Sequence, residues 1–94
     1  MYERILREMR ARVRRGNLII TVHGRQEMYR DSLLAADVEF CILKGSMVER
    51  QWDEDYAEYK YVIEGATTNA DEFIHVVAKL GSNDTVVITV YRVL

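Results

Sequence analysis

The sequence predicts an α+β fold, with N-terminal helices packed on a mainly antiparallel sheet of about four to five strands. One observation is a change of period. Up to about residue 45 the apolar residues recur at helical spacing, and from residue 46 they alternate as strands do. The other is the shortness of the connections in the second half: Asp53-Glu54-Asp55, residues 65–70, and Gly81-Ser82-Asn83-Asp84. Strands joined so briefly are normally antiparallel neighbours, and one face of such a meander must be covered by the helices that precede it.

The elements follow in order. Residues 2–15 place Tyr2, Ile5, Leu6, Met9 and Val13 on one stripe, with arginines over the remaining surface and Gly16-Asn17 as the stop. Leu18–Val22 is short and β-branched, and reads as a strand. A short helix then begins near Thr21 or His23, with Thr21 as its N-cap, and Asp31-Ser32 breaks it. A further helix over about 34–43 buries Leu34, Val38, Cys41 and Ile42 and stops at Lys44-Gly45. Met47–Trp52, Tyr59–Glu64, Glu72–Leu80 and Thr85–Val93 read as four strands.

The chain has 94 residues and no proline, enough for one domain spanning 1–94: an amphipathic helix over 1–16 and an α+β core over 17–94. A domain of this size buries roughly 60–65% of its unfolded surface, which suffices for folding alone. Cys41 is the single cysteine, so neither an internal disulfide nor a multi-cysteine zinc site is available, and it reads as a core residue. No apolar run is long enough to span a membrane and no export signal is visible, so the expected location is cytoplasmic. The net charge of −2 conceals a split: residues 1–30 carry eight Lys/Arg against three acids, and residues 31–94 carry five against twelve. The basic end suits phosphates or an acidic partner, and the acidic part, densest at Glu49–Glu58, suits a basic one; both also serve as solvated faces.

Two histidines are the natural proton-transfer candidates. His23 ends the first apolar run, and His75 lies inside the third strand of the meander. Metal-independent RNA cleavage needs a base for the 2′-hydroxyl, an acid for the 5′-oxygen, and donors for the phosphate. Histidine performs either proton step near neutrality. Glu27, four residues after His23, is placed to orient that imidazole from the next helical turn. Tyr91 is a hydrogen-bond donor or a stacking platform, and Arg25, Arg30 and Arg92 match phosphate oxygens with paired donors. Structural roles compete at each position: His23 as a helix cap, His75 as a satisfied half-buried ring, Tyr91 as packing, Arg92 as a solvated strand end. Neither a metal-ligand spacing nor a cofactor-binding motif is present, so no metal and no cofactor is expected.

The register of the last hairpin decides which of these residues meet. A turn pairing Leu80 with Thr85 sets His75 opposite Val90, on the face of Arg92. A bulged connection shifts the register by one and moves His75 to the face of Tyr91. The alternation favours the second arrangement, with Ile74, Val76 and Ala78 joining Val86, Ile88 and Val90 on the core face.

A series of residues over about 17–92 resembles the prokaryotic family catalogued as domain of unknown function 4258. The series runs His23, Glu27-Met28, Asp31, Asp37-Val38, Ile42 and Gly45. It continues with Tyr61-Val62-Ile63, Gly65, Thr67, His75-Val76-Val77 and Ile88-Thr89-Val90-Tyr91-Arg92. Gly24 stands where the family usually has alanine, Glu27 and Asp31 where many members have arginine, and Val93 where proline is usual. The family in turn resembles small toxins of the RelE/ParE and BrnT kind, several of which cut RNA without metal. The resemblance implies the toxin half of a two-gene toxin–antitoxin module, an RNA substrate, and an antitoxin partner of DNA-binding or zinc-ribbon type. The rival expectation is a non-catalytic interaction module working through the acidic run or the N-terminal helix. Self-association through that helix's apolar stripe is a third.

Overall fold

The computed structural model describes residues 2–93. The first stripe becomes α1 (Glu3–Arg14), which buries Met9 and Val13, with Tyr2, Ile5 and Leu6 packed partly buried on the same core. Gly16 turns the chain out of the helix at φ +83°, a conformation that suits glycine because it lacks Cβ. The strand that follows, β1, is Leu18–Ile20, shorter than the apolar run suggested. Thr21 ends it by capping α2 (Val22–Arg30): the Gly24 N–H donates to the Thr21 hydroxyl at 3.1 Å. Val22 therefore belongs to the helix rather than the strand, and it is exposed. Ser32, at φ +57°, reverses the chain into α3 (Ala35–Lys44). Val38, Cys41 and Ile42 are fully buried as expected. Leu34 is not; it precedes the first turn as the N-cap residue and projects outward.

The four two-period segments become β2 (Ser46–Asp53), β3 (Glu58–Ala66), β4 (Phe73–Leu80) and β5 (Thr85–Val93). With β1 they form one five-stranded sheet in the order β1-β5-β4-β3-β2. The meander is antiparallel throughout, and β1 alone lies parallel, pairing Leu18–Ile20 with Thr85–Val87. One continuous apolar cluster joins the three helices to one sheet face. It takes Ile20 from β1, Tyr61 and Ile63 from β3, Ile74, Val76 and Ala78 from β4, and Val87 and Val90 from β5. Among the described residues no helix is long and apolar enough to cross a membrane.

The last hairpin combines features of both registers considered. Leu80 does pair with Thr85, around a four-residue turn, yet His75 pairs with Tyr91. A bulge reconciles the two: Ala78 opposes Val87, Val77 opposes Thr89, and Ile88 is the extra residue. The expected face for His75 is thus reached by a bulge inside β5 rather than at its turn. Beyond that bulge the expected core face of β5 is corrected. Thr85 and Val87 are buried there in place of Val86 and Ile88, and the Thr85 hydroxyl is satisfied by the Met9 carbonyl at 3.1 Å.

Candidate functional site

Because side chains alternate along a strand, Glu64, His75 and Tyr91 lie on the sheet face opposite Ile63, Ile74, Val76 and Val90, away from the helices. Glu64 opposes His75 across β3 and β4, and His75 opposes Tyr91 across β4 and β5. Directly opposed residues are close enough for their side chains to bond. They do: His75 Nε2 lies 2.9 Å from a Glu64 carboxylate oxygen, and Nδ1 lies 3.1 Å from the Tyr91 hydroxyl. The two rings meet edge-on at 64°, their centroids 5.2 Å apart. The His75 side chain is only 20% exposed, while Glu64 and Tyr91 flank it closer to solvent.

This geometry fixes the imidazole's polarity. A carboxylate only accepts, so Nε2 carries the proton it gives to Glu64, and neutral Nδ1 accepts the Tyr91 phenolic proton. In a doubly protonated ring Nδ1 would be a donor and the phenol oxygen its acceptor. Acid, imidazole and hydroxyl in this order form the array by which a carboxylate supports a histidine base acting on a hydroxyl group. Of the three, His75 and Tyr91 were expected from the sequence. Glu64 was not, although an acid closing the apolar run Tyr61-Val62-Ile63 was the available signal.

His23 belongs to a second cluster on α2. Its Nε2 lies 3.5 Å from Glu27, one helical turn on, and Arg30 approaches the other Glu27 oxygen at 3.8 Å. Glu27 also has backbone work. β1 ends at Ile20, opposite Val87, so on that side β5 has no strand neighbour beyond this point. The Thr21 hydroxyl donates to the Ile88 carbonyl at 3.1 Å, and Glu27 accepts the Val90 N–H at 2.9 Å. Helix α2 thereby covers an otherwise bare sheet edge. His23 itself remains 65% exposed.

The arginines expected to hold phosphate are distributed elsewhere. Arg92 pairs with Ile74, on the helix-facing side, and donates to Glu72 at 2.6 Å and to the Asp31 carbonyl. Arg25 donates to the Ile20 carbonyl at 3.3 Å and, with Val22, Gln26 and Tyr29, lines an open pocket of about 460 Å³ on α2. Arg30 extends into solvent beside Glu27 and Asp31. Among the described residues no hydrogen bond or ion pair joins the His23 cluster to the His75 array, and none attaches an arginine to that array. No group of three or more His, Cys, Asp or Glu among them is arranged to hold a metal ion.

Residues 20–92 match the family model described as Domain of unknown function (DUF4258). The chain belongs to the DUF4258 family. Neither the curated proteins nor the solved structures searched yield a match. The DUF4258 segment begins at the last residue of β1, contains both histidine clusters and the meander up to the penultimate residue of β5, and leaves α1 outside it.

Proposed function

We propose that this DUF4258 chain is the toxin-like component of a prokaryotic toxin–antitoxin module, acting in the cytoplasm as a metal-independent endoribonuclease. The resemblance to RelE/ParE and BrnT toxins supports the toxin part. The nuclease part is supported by one observation above all, the hydrogen-bonded row Glu64–His75–Tyr91. In the proposed reaction the Tyr91 oxygen takes the proton of an RNA 2′-hydroxyl as its own proton passes to His75 Nδ1. The 2′-oxygen bonds to phosphorus and the bond to the 5′-oxygen breaks. The imidazolium returns its proton through Tyr91 to that leaving oxygen, giving a 2′,3′-cyclic phosphate and a 5′-hydroxyl. Glu64 holds the ring in the required tautomer and orientation.

Cleavage of a labelled RNA in the presence of a chelator tests this. His75→Ala should lower the rate by about 100-fold or more, the range of a lost general base. Tyr91→Phe should remove the relay while leaving the fold intact. Full activity of both variants would end the proposal, and full activity of His23→Ala would assign His23 to the α2 edge alone.

A second reading, a non-catalytic interaction module, is favoured by a different observation. Val22 and Tyr29, seven residues apart on α2, are 73% and 89% exposed. They line one open pocket with Arg25 and Gln26 and make an apolar patch suited to a partner protein, an antitoxin in the first reading. Affinity capture with wild type and Tyr29→Asp discriminates: one stoichiometric protein lost with the variant, and no RNA, favours the module.

A further inference from the structure

The helix-facing side of the β2–β3 hairpin carries aromatic rings and a guanidinium that neither histidine cluster uses. Arg50 pairs in register with Tyr61, and Trp52 with Tyr59. Tyr2 meets Tyr61 edge-on at 6.0 Å between centroids, and Trp52 meets Tyr59 at 4.9 Å. The Arg50 guanidinium joins the two pairs, 6.0 Å from the Tyr2 ring and 4.0 Å from the Tyr59 ring. The result is a continuous row, Tyr61, Tyr2, Arg50, Tyr59, Trp52. Its inner half walls a groove of about 690 Å³ whose other side is α1, with Arg4, Ile5 and Arg7. The groove also touches Glu8, whose carboxylate is already paired with Arg12 at 2.9 Å.

The chemistry of this row is specific. Trp52 and Tyr59 remain 51% and 42% exposed, so flat apolar rings face water beside the groove. A guanidinium stacked on a ring keeps its N–H edge free for a phosphate. Rings for bases alternating with cations for phosphates are what a single strand requires, whereas a duplex hides its base faces. We propose that this groove and its aromatic row bind single-stranded nucleic acid. The site lies across the sheet from His75 and does not depend on the cleavage reading.

Trp52 is the single tryptophan of the chain, so its emission reports directly on the row. The probe is a 2′-O-methyl oligouridylate, which cannot be cut by attack of its own 2′-oxygen, titrated into the full chain at low salt. The expected result is quenching of Trp52, with saturable binding. The three groove arginines should give a slope of log affinity on log salt of about −2. Arg50→Ala and Tyr59→Ala should each weaken binding by about tenfold, as loss of a stacking platform does. Arg50→Lys, which keeps the charge but not the planar fork, should fall between. Unchanged thermal midpoints show that the variants fold, and His75→Ala should bind as tightly as wild type whatever its effect on cleavage. Three results would overturn the proposal: no response of Trp52, equal affinity in both alanine variants, or the same quenching by polyglutamate. The last would mark an acidic-protein surface. A matching deoxyribonucleotide oligomer that binds equally supports the site and makes it indifferent to the sugar.

Discussion

At the scale of single residues, buried polar groups act as fixed points of the fold. Asp37 is buried, which works against its ionisation. The Leu34 N–H at 2.9 Å, the Thr68 N–H at 3.0 Å and the Thr68 hydroxyl at 2.9 Å outweigh that and hold the carboxyl below the usual range. A lowered folded value means that ionised Asp37 stabilises the fold above the ordinary aspartate range. The contribution is lost as pH falls through the folded value. Asp37→Asn should therefore flatten the acid limb of a urea-measured stability–pH profile, at a cost of about 2 kcal/mol near neutrality. Cys41 is the opposite case: burial, and secondarily the Glu64 charge, push its thiol up to about 12. It should resist alkylation at pH 8 until the chain unfolds, and rapid labelling of native protein would contradict the packing described.

At the scale of elements, two glycines set how closely α3 crosses β3. A Cβ on Gly45 would sit 2.4 Å from the Glu64 carbonyl oxygen and 2.6 Å from that of Cys41, and one on Gly65 would press on Cys41. Backbone atoms cannot yield as side chains do, so Gly45→Ala should cost about 1–3 kcal/mol, read from the shift of a denaturant midpoint. Much of this layer was legible in the sequence. The apolar stripe of α1, the Thr21 cap, the break at Asp31-Ser32 and the four meander strands all declare themselves within a few residues. What stayed hidden is non-local. The parallel pairing of β1 with β5 has no local signal, and the bulge at Ile88 breaks an alternation that made Val86 and Ile88 look like core. The candidate site shows the same division. His75 and Tyr91 stand out by residue type, but only the register of β3 against β4 supplies Glu64. Glu27 was read as a partner for His23 and turns out also to hold the Val90 N–H; Glu27→Ala should cost about 1–2 kcal/mol and loosen the end of β5, measurable by hydrogen exchange at Val90.

At the scale of the whole molecule, part of the basic N-terminal third is spent on assembly. Arg10 donates to the Ile42 carbonyl at 2.8 Å and the Gly45 carbonyl at 2.7 Å, closing the C-terminus of α3, and burial lowers its pKa. Arg12 donates to the carbonyls of Gly81 and Asp84, anchoring the β4–β5 turn. Charge counting alone would have assigned both to a phosphate surface. Arg10→Ala should destabilise the fold by about 2 kcal/mol with little salt dependence, since its partners are carbonyls rather than carboxylates.

The seating of β5 between β1 and β4 has a further consequence for biosynthesis. Residues 18–20 wait for residues 85–87, so the segment made early finds its sheet partner only after α2, α3 and the strands β2 to β4 have all been translated. A nascent chain released before Thr85 would hold β1 and α2 with nothing to dock on, and should emerge as a protease-sensitive coil.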